Sequence, residues 1–162
     1  KTHILPMMAQ MSAMNGIQVK DMNQDGHLDI MYVGNNYANE VFMGRYDASN
    51  GGILAGNGKG QFKYVNQSGL FVPQDAKSFI SIDLGKKGLG FIASQNRGKM
   101  HAFVSADKAW TRLIIPKGIQ GFVYQFKGQS QRVEWTYGSS YLGQSANGQA
   151  FLPNGAKIVK TF

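Results

Sequence analysis

The chain has 162 residues, 43% hydrophobic and only 16% charged, enough for one domain with a real core and too apolar for a disordered tail. Its 17 Lys and Arg outnumber 9 Asp and Glu, a net +8, but the basic residues stand singly apart from Lys86-Lys87, which favours a solvated basic surface over a nucleic-acid site. With no cysteine there is no disulfide framework, thiolate nucleophile or thiolate-bound zinc, and no apolar run reaches the ~18–20 residues of a transmembrane segment.

Taken in chain order, the start Lys1-Thr2-His3-Ile4-Leu5-Pro6 lacks a secretion-signal pattern, so any targeting segment is expected upstream. Residues 7–14 are the one window with a helical period; the methionines there, Met7, Met8, Met11 and Met14, read as apolar packing, since no Cys or His joins them to favour Cu(I). Short β-branched and aromatic segments follow at 17–20, 28–33, 79–82, 89–93, 100–104, 113–115, 122–126, 132–137 and 158–162. In the segment 132–137, Val133, Trp135 and Tyr137 share one strand face, and Trp110 and Trp135 read as apolar anchors. Five Asn-Gly pairs, at Asn15, Asn50, Asn57, Asn147 and Asn154, punctuate these segments as two-residue turns that need positive φ. The spacing therefore predicts an all-β chain.

Between the first two strand segments lies Asp21-Met22-Asn23-Gln24-Asp25-Gly26-His27-Leu28-Asp29. Donors at positions 1, 3, 5 and 9 with a carbonyl at 7 supply most of the six to eight oxygens that calcium takes, so Asp21, Asn23, Asp25, Asp29 and the His27 carbonyl form a candidate calcium site. It differs from an EF-hand: position 12 is Tyr32, and no helices flank it. The His27 imidazole is expected to point outward. The same strand–turn–strand recurs 62 positions later at Asp83–Ile92, where Gly85, Lys87 and Phe91 replace Asn23, Asp25 and Asp29, so that copy is expected to bind no cation. There either the Lys87 ammonium or plain turn geometry is expected to take the ion's place.

These residues resemble the FG-GAP or VCBS repeat family, whose blades carry D-x-[DN]-x-D-G-x-x-D calcium loops. Gly44-Arg45-Tyr46-Asp47-Ala48-Ser49-Asn50-Gly51 and Gly56-Asn57-Gly58-Lys59-Gly60-Gln61-Phe62 extend the likeness to bacterial VCBS proteins with ASPIC/UnbV-like ends, over about residues 5–105. More weakly, Arg132–Ser145 is similar to the C-terminal module of such proteins. The resemblance implies antiparallel four-stranded propeller-type blades: a calcium-loop blade at 1–78, a degenerate repeat at 79–108 and a C-terminal β-rich module at 109–162. Two units and a tail do not close a ring of four to eight blades. Further blades, another subunit or a protein partner are therefore expected.

Gly56–Gly60 reads as a hairpin turn, since it lacks the G-K-[ST] ending and following helix of a phosphate loop. Glu40, Arg45, Tyr46 and Asp47 are the only cluster outside the metal loop with acid/base potential, and an internal Arg45–Asp47 pair that pins the loop competes with that reading. Asn35, Asn36, Tyr37 and Tyr46 form a polar aromatic patch suited to stacking on a sugar or to capping a blade; with Arg45 and Asp47 they give the candidate ligand residues Asn36, Tyr37, Arg45, Tyr46 and Asp47. The expected function is a non-enzymatic, calcium-stabilised adhesion or protein-binding scaffold in an exported or cell-surface bacterial protein, with a glycan-binding module second and a carbohydrate-active enzyme segment third.

Overall fold

A computed structural model describes residues 2–106, 110–135, 138, 140–145 and 148–162. These residues are all-β, with antiparallel sheets. Strands β1 (Met14–Lys20), β2 (Asp29–Gly34), β3 (Gly52–Gly56) and β4 (Phe62–Tyr64) form a four-stranded meander in chain order. A second, three-stranded meander follows, made of β5 (Ala76–Asp83), β6 (Leu89–Gln95) and β7 (His101–Val104). In the C-terminal part, β8 (Trp110–Ile114) pairs with β11 (Gln149–Pro153), while β9 (Gly121–Phe126) is flanked by β10 (Gln129–Glu134) and β12 (Lys157–Thr161). Tyr137 and Asn147 lie outside the described residues.

Strand β2 shows why this sequence folds as it does. Its alternate side chains enter two cores: Met31 and Val33 join Phe79, Leu89, Phe91 and Val72 between the two meanders, while Tyr32 joins Leu54 and Ala9 on the far face. Burial on both faces explains its near-continuous apolar run. The C-terminal strands build a third cluster around Phe122, Tyr124, Ala150 and Leu152, and Phe151 of β11 reaches back into the first.

Three local expectations change. Residues 7–14 hold only a 3-10 turn at Met7–Ala9, because Met14 already starts β1 and the Ala13 carbonyl is bound by the Asn35 N–H. Met7, Met8 and Met11 are exposed, so only Met14 packs as expected. Asn15-Gly16 is a bulge inside β1, where the pairing with β2 shifts. Its glycine is required there for a different reason: a Cβ on Gly16 would sit 2.6 Å from Phe79 Cβ and 2.8 Å from Phe79 N. That absence lets β1 and β5 lie side by side, bridged by Gln18 Nε2 donating to the Phe79 carbonyl (2.9 Å) and Asn15 Nδ2 to the Ala76 carbonyl (2.7 Å). Asn57-Gly58 and Asn154-Gly155 do sit in the β3–β4 and β11–β12 turns, with positive φ at both glycines. Strands β3, β4 and β11 escaped the pattern reading because bounding glycines and a terminal proline mask short runs.

Candidate functional site

The Asp21–Asp29 loop joins β1 to β2, and its carboxylates organise its own backbone. Asp21 accepts from the Asp25 and Gly26 N–H groups (3.0 and 2.9 Å), Asn23 Oδ1 from Asp25 N–H (3.0 Å), and Asp25 Oδ1 from His27 N–H (2.8 Å). Asp29, only 1% exposed, is the pin: one oxygen accepts from Met22 N–H (2.8 Å) and Asn23 N–H (3.4 Å), the other from Gly56 N–H at the end of β3 (3.0 Å). Burial pushes the Asp21 and Asp29 carboxyls up, their backbone N–H bonds oppose this, and the neighbouring Asp25 charge adds to the rise. Among the described residues no group of three His, Cys, Asp or Glu is drawn around a common point.

The donor chemistry nonetheless fits a hard cation. Three carboxylates share one loop, with Asp21 and Asp29 raised by burial and further by the Asp25 charge, and an oxygen that accepts one N–H keeps a second lone pair. The His27 ring does not point outward: it packs on the Asn57-Gly58 turn, where a Cβ on Gly58 would lie 2.5 Å from Nδ1, and that nitrogen is buried with no hydrogen-bond partner among the described residues. In the second copy, β5 turns into β6 through a 3-10 turn at Gly85–Lys87, closed by Leu84 N–H to the Gly88 carbonyl. Asp83 there takes Gly85 N–H and pairs with Arg112 of β8 at 2.8 Å, so this turn is held by its own backbone and by an ion pair to β8.

The loop also meets the C-terminal strands. Gly26 adopts φ +98°, and its Cα faces the β9–β10 turn, where Lys127 Nζ donates to the Gln24 carbonyl (2.6 Å) and Gln131 Nε2 to the Gly26 carbonyl (2.9 Å). Lys127 and Gln131 carry no sequence signal for this contact, which spans about a hundred residues of chain.

The second candidate set lies on the β2–β3 loop. Asn36 and Tyr46 pair through two backbone hydrogen bonds of 2.9 Å, and the Arg45 guanidinium stacks over the Tyr37 ring at 4.8 Å. Asp47 and Glu40 are exposed, and no ion pair among the described residues joins either to Arg45. The expected Arg45–Asp47 pin is thus replaced by the cation–π stack. The actual pin is Asn35, fully buried with φ +83°, which donates to the Ser49 carbonyl (2.6 Å) and accepts from Ser49 N–H (3.0 Å). Tyr37 and Arg45 line a concavity of about 460 Å³ together with Gln74 and with Arg97 of the β6–β7 turn, the corresponding loop of the second meander. Tyr46, Asn36 and Asp47 are not part of its lining. Arg97 was missed, although Asn96-Arg97-Gly98 has a turn composition. No helix among the described residues is long and apolar enough to cross a membrane. No protein family, curated protein or solved structure matches this chain.

Proposed function

We propose that this chain is a calcium-stabilised segment of a β-propeller in an exported or cell-surface bacterial protein, acting without catalysis as a scaffold that binds a protein partner. The carrying observation is the acidic loop between the first two strands of a four-stranded meander, with Asp21 and Asp29 buried and the Asp25 charge raising the proton affinity of both. Asp21, Asn23, Asp25, Asp29 and the His27 carbonyl would hold the ion, which supplies countercharge where the loop has none of its own. The side-by-side β1 and β5 support a propeller arrangement, in which first strands flank an axis and successive blades pack face to face.

Calcium titration of the metal-free chain tests the reading. One ion per chain and a higher melting temperature are expected; unchanged melting between millimolar calcium and excess chelator would overturn it. A glycan-binding reading is favoured by one observation, the Tyr37–Arg45 stack beside Arg97 on one concave face. A glycan array with the Arg45→Ala chain as control separates the two.

A further inference from the structure

Among the described residues, the concavity of about 460 Å³ at the β2–β3 loop is lined by Tyr37, Ala38, Arg45, Gln74, Asn96 and Arg97, which bring two guanidinium groups and no acid. Glu40 and Asp47 share the loop with Arg45 but are not part of the lining, and no ion pair among the described residues joins Arg45 or Arg97 to a carboxylate. Asp75, next in the chain to Gln74, is fully buried and already committed: it pairs with Lys77 and accepts from Asn96 Nδ2 (3.1 Å). Both cations are backed by fixed structure. Arg45 lies over the Tyr37 ring at 4.8 Å, and such a stack occupies the flat face of the guanidinium while its in-plane N–H donors stay free. Arg97 takes φ +55° in the β6–β7 turn, which the Asn96 N–H ties to the Asp75 carbonyl (2.8 Å). Two exposed like charges on one concave face, with no carboxylate among them, favour an anion there. A carboxylate has two oxygens, which a single guanidinium fork takes bidentately; two forks suit a group with three free oxygens, a sulfate or phosphate monoester.

We propose that this concavity binds a sugar carrying a sulfate or phosphate ester, with the ester on Arg45 and Arg97 and neighbouring hydroxyls on the Gln74 and Asn96 amides. The inference rests on the glycan-binding reading above and specifies an anionic ligand for it. The volume falls within the ~300–1,000 Å³ of small-ligand sites. The net charge of +8 draws such ligands to the chain.

The whole chain is tested on an array of glucose and galactose, each in neutral, uronate, 6-sulfate and 6-phosphate form, and then by calorimetry in chelator so that no calcium bridges the phosphate. The esters are expected to bind at least about tenfold more tightly than the neutral sugar and the uronate, with an affinity that falls as salt rises. The tighter of the two esters identifies the source of the anion. Arg45→Gln and Arg97→Gln are each expected to weaken ester binding at least about tenfold, and Arg97→Lys, which keeps the charge and loses the fork, by less. Because both arginines are exposed, melting temperatures should stay within about 3 °C of wild type. Equal affinity for ester and neutral sugar would overturn the inference and leave the glycan reading standing, whereas no binding of any sugar would remove both. A uronate that matches the esters, or ester binding that survives both Gln variants, would also overturn it. So would a phosphoserine peptide that binds more tightly than either ester, which would return this face to a protein partner.

Discussion

Asp29→Ala isolates what the acidic loop does before any ion binds. The substitution strips the acceptor from Met22 N–H at 2.8 Å and Gly56 N–H at 3.0 Å, and from the weaker Asn23 contact at 3.4 Å. Two good bonds to a charged acceptor are worth about 1.5–3 kcal/mol each, a gross loss of about 3–6 kcal/mol. Removing a buried carboxylate whose proton affinity is already raised by burial offsets part of this, which leaves a net destabilisation of about 2–4 kcal/mol. At about 2–4 °C per kcal/mol for a chain of this size, the melting temperature falls by roughly 10 °C. Urea unfolding in chelator, followed by the fluorescence of Trp110 and Trp135, measures it as a lower midpoint with an unchanged slope. Asp29→Asn, which keeps one acceptor but turns an amide donor toward the other N–H, falls between the two. In calcium the wild type gains a further RT ln(1 + [L]/Kd), about 2.7 kcal/mol at a hundredfold excess over Kd, which the alanine variant lacks. A loss below about 1 kcal/mol in chelator would refute the pin, since two buried donors without an acceptor cost more than that.

Other consequences follow from the same contacts. Asn35→Ala empties the buried hub of the β2–β3 loop and places alanine at φ +83°, so unfolding midpoints should show a loss of about 2–4 kcal/mol. Because the folded-state pKa values of Asp21 and Asp29 are raised, the folded chain binds more protons than the unfolded one just above the ordinary carboxyl pKa of 3.8. The contribution of these groups to stability is therefore largest on the acid side and is lost as pH rises through that window. In chelator, wild type should gain on Asp21→Asn as pH falls from 7 toward 4, and saturating calcium should erase the gain. Lys127→Ala with Gln131→Ala removes both hydrogen bonds from the β9–β10 hairpin to the loop; hydrogen exchange at the loop amides should quicken while total stability falls by only about 1–2 kcal/mol. Asp83→Asn should cost under about 1 kcal/mol, since Arg112 at 2.8 Å is half-exposed and water replaces much of the pairing.

Much of this architecture was legible in the chain itself. Alternating β-branched and aromatic runs carry their own strand geometry, and so β1, β2, β5, β6 and β9 stand within a few residues of their predicted spans. The acidic loop was legible because donor spacing is a local property: Asp21, Asn23, Asp25 and Asp29 bind backbone N–H groups mostly within five residues or so. Short-range chemistry of this kind survives in any context that permits the turn. What tertiary structure alone decided depends on partners far along the chain. Asn15-Gly16 has the composition of a hairpin turn, yet packing against Phe79 made it a bulge that brings two sheets together. Arg45 had a carboxylate two residues away and took the Tyr37 ring instead, because the Asn35-centred loop holds that ring beneath it. Lys20 looked like one more surface cation in a basic chain. Only the arrival of the C-terminal strands leaves it half-buried, in a cavity that it lines together with Tyr124, Glu134 and Phe151, since no local pattern encodes what arrives from a hundred residues downstream.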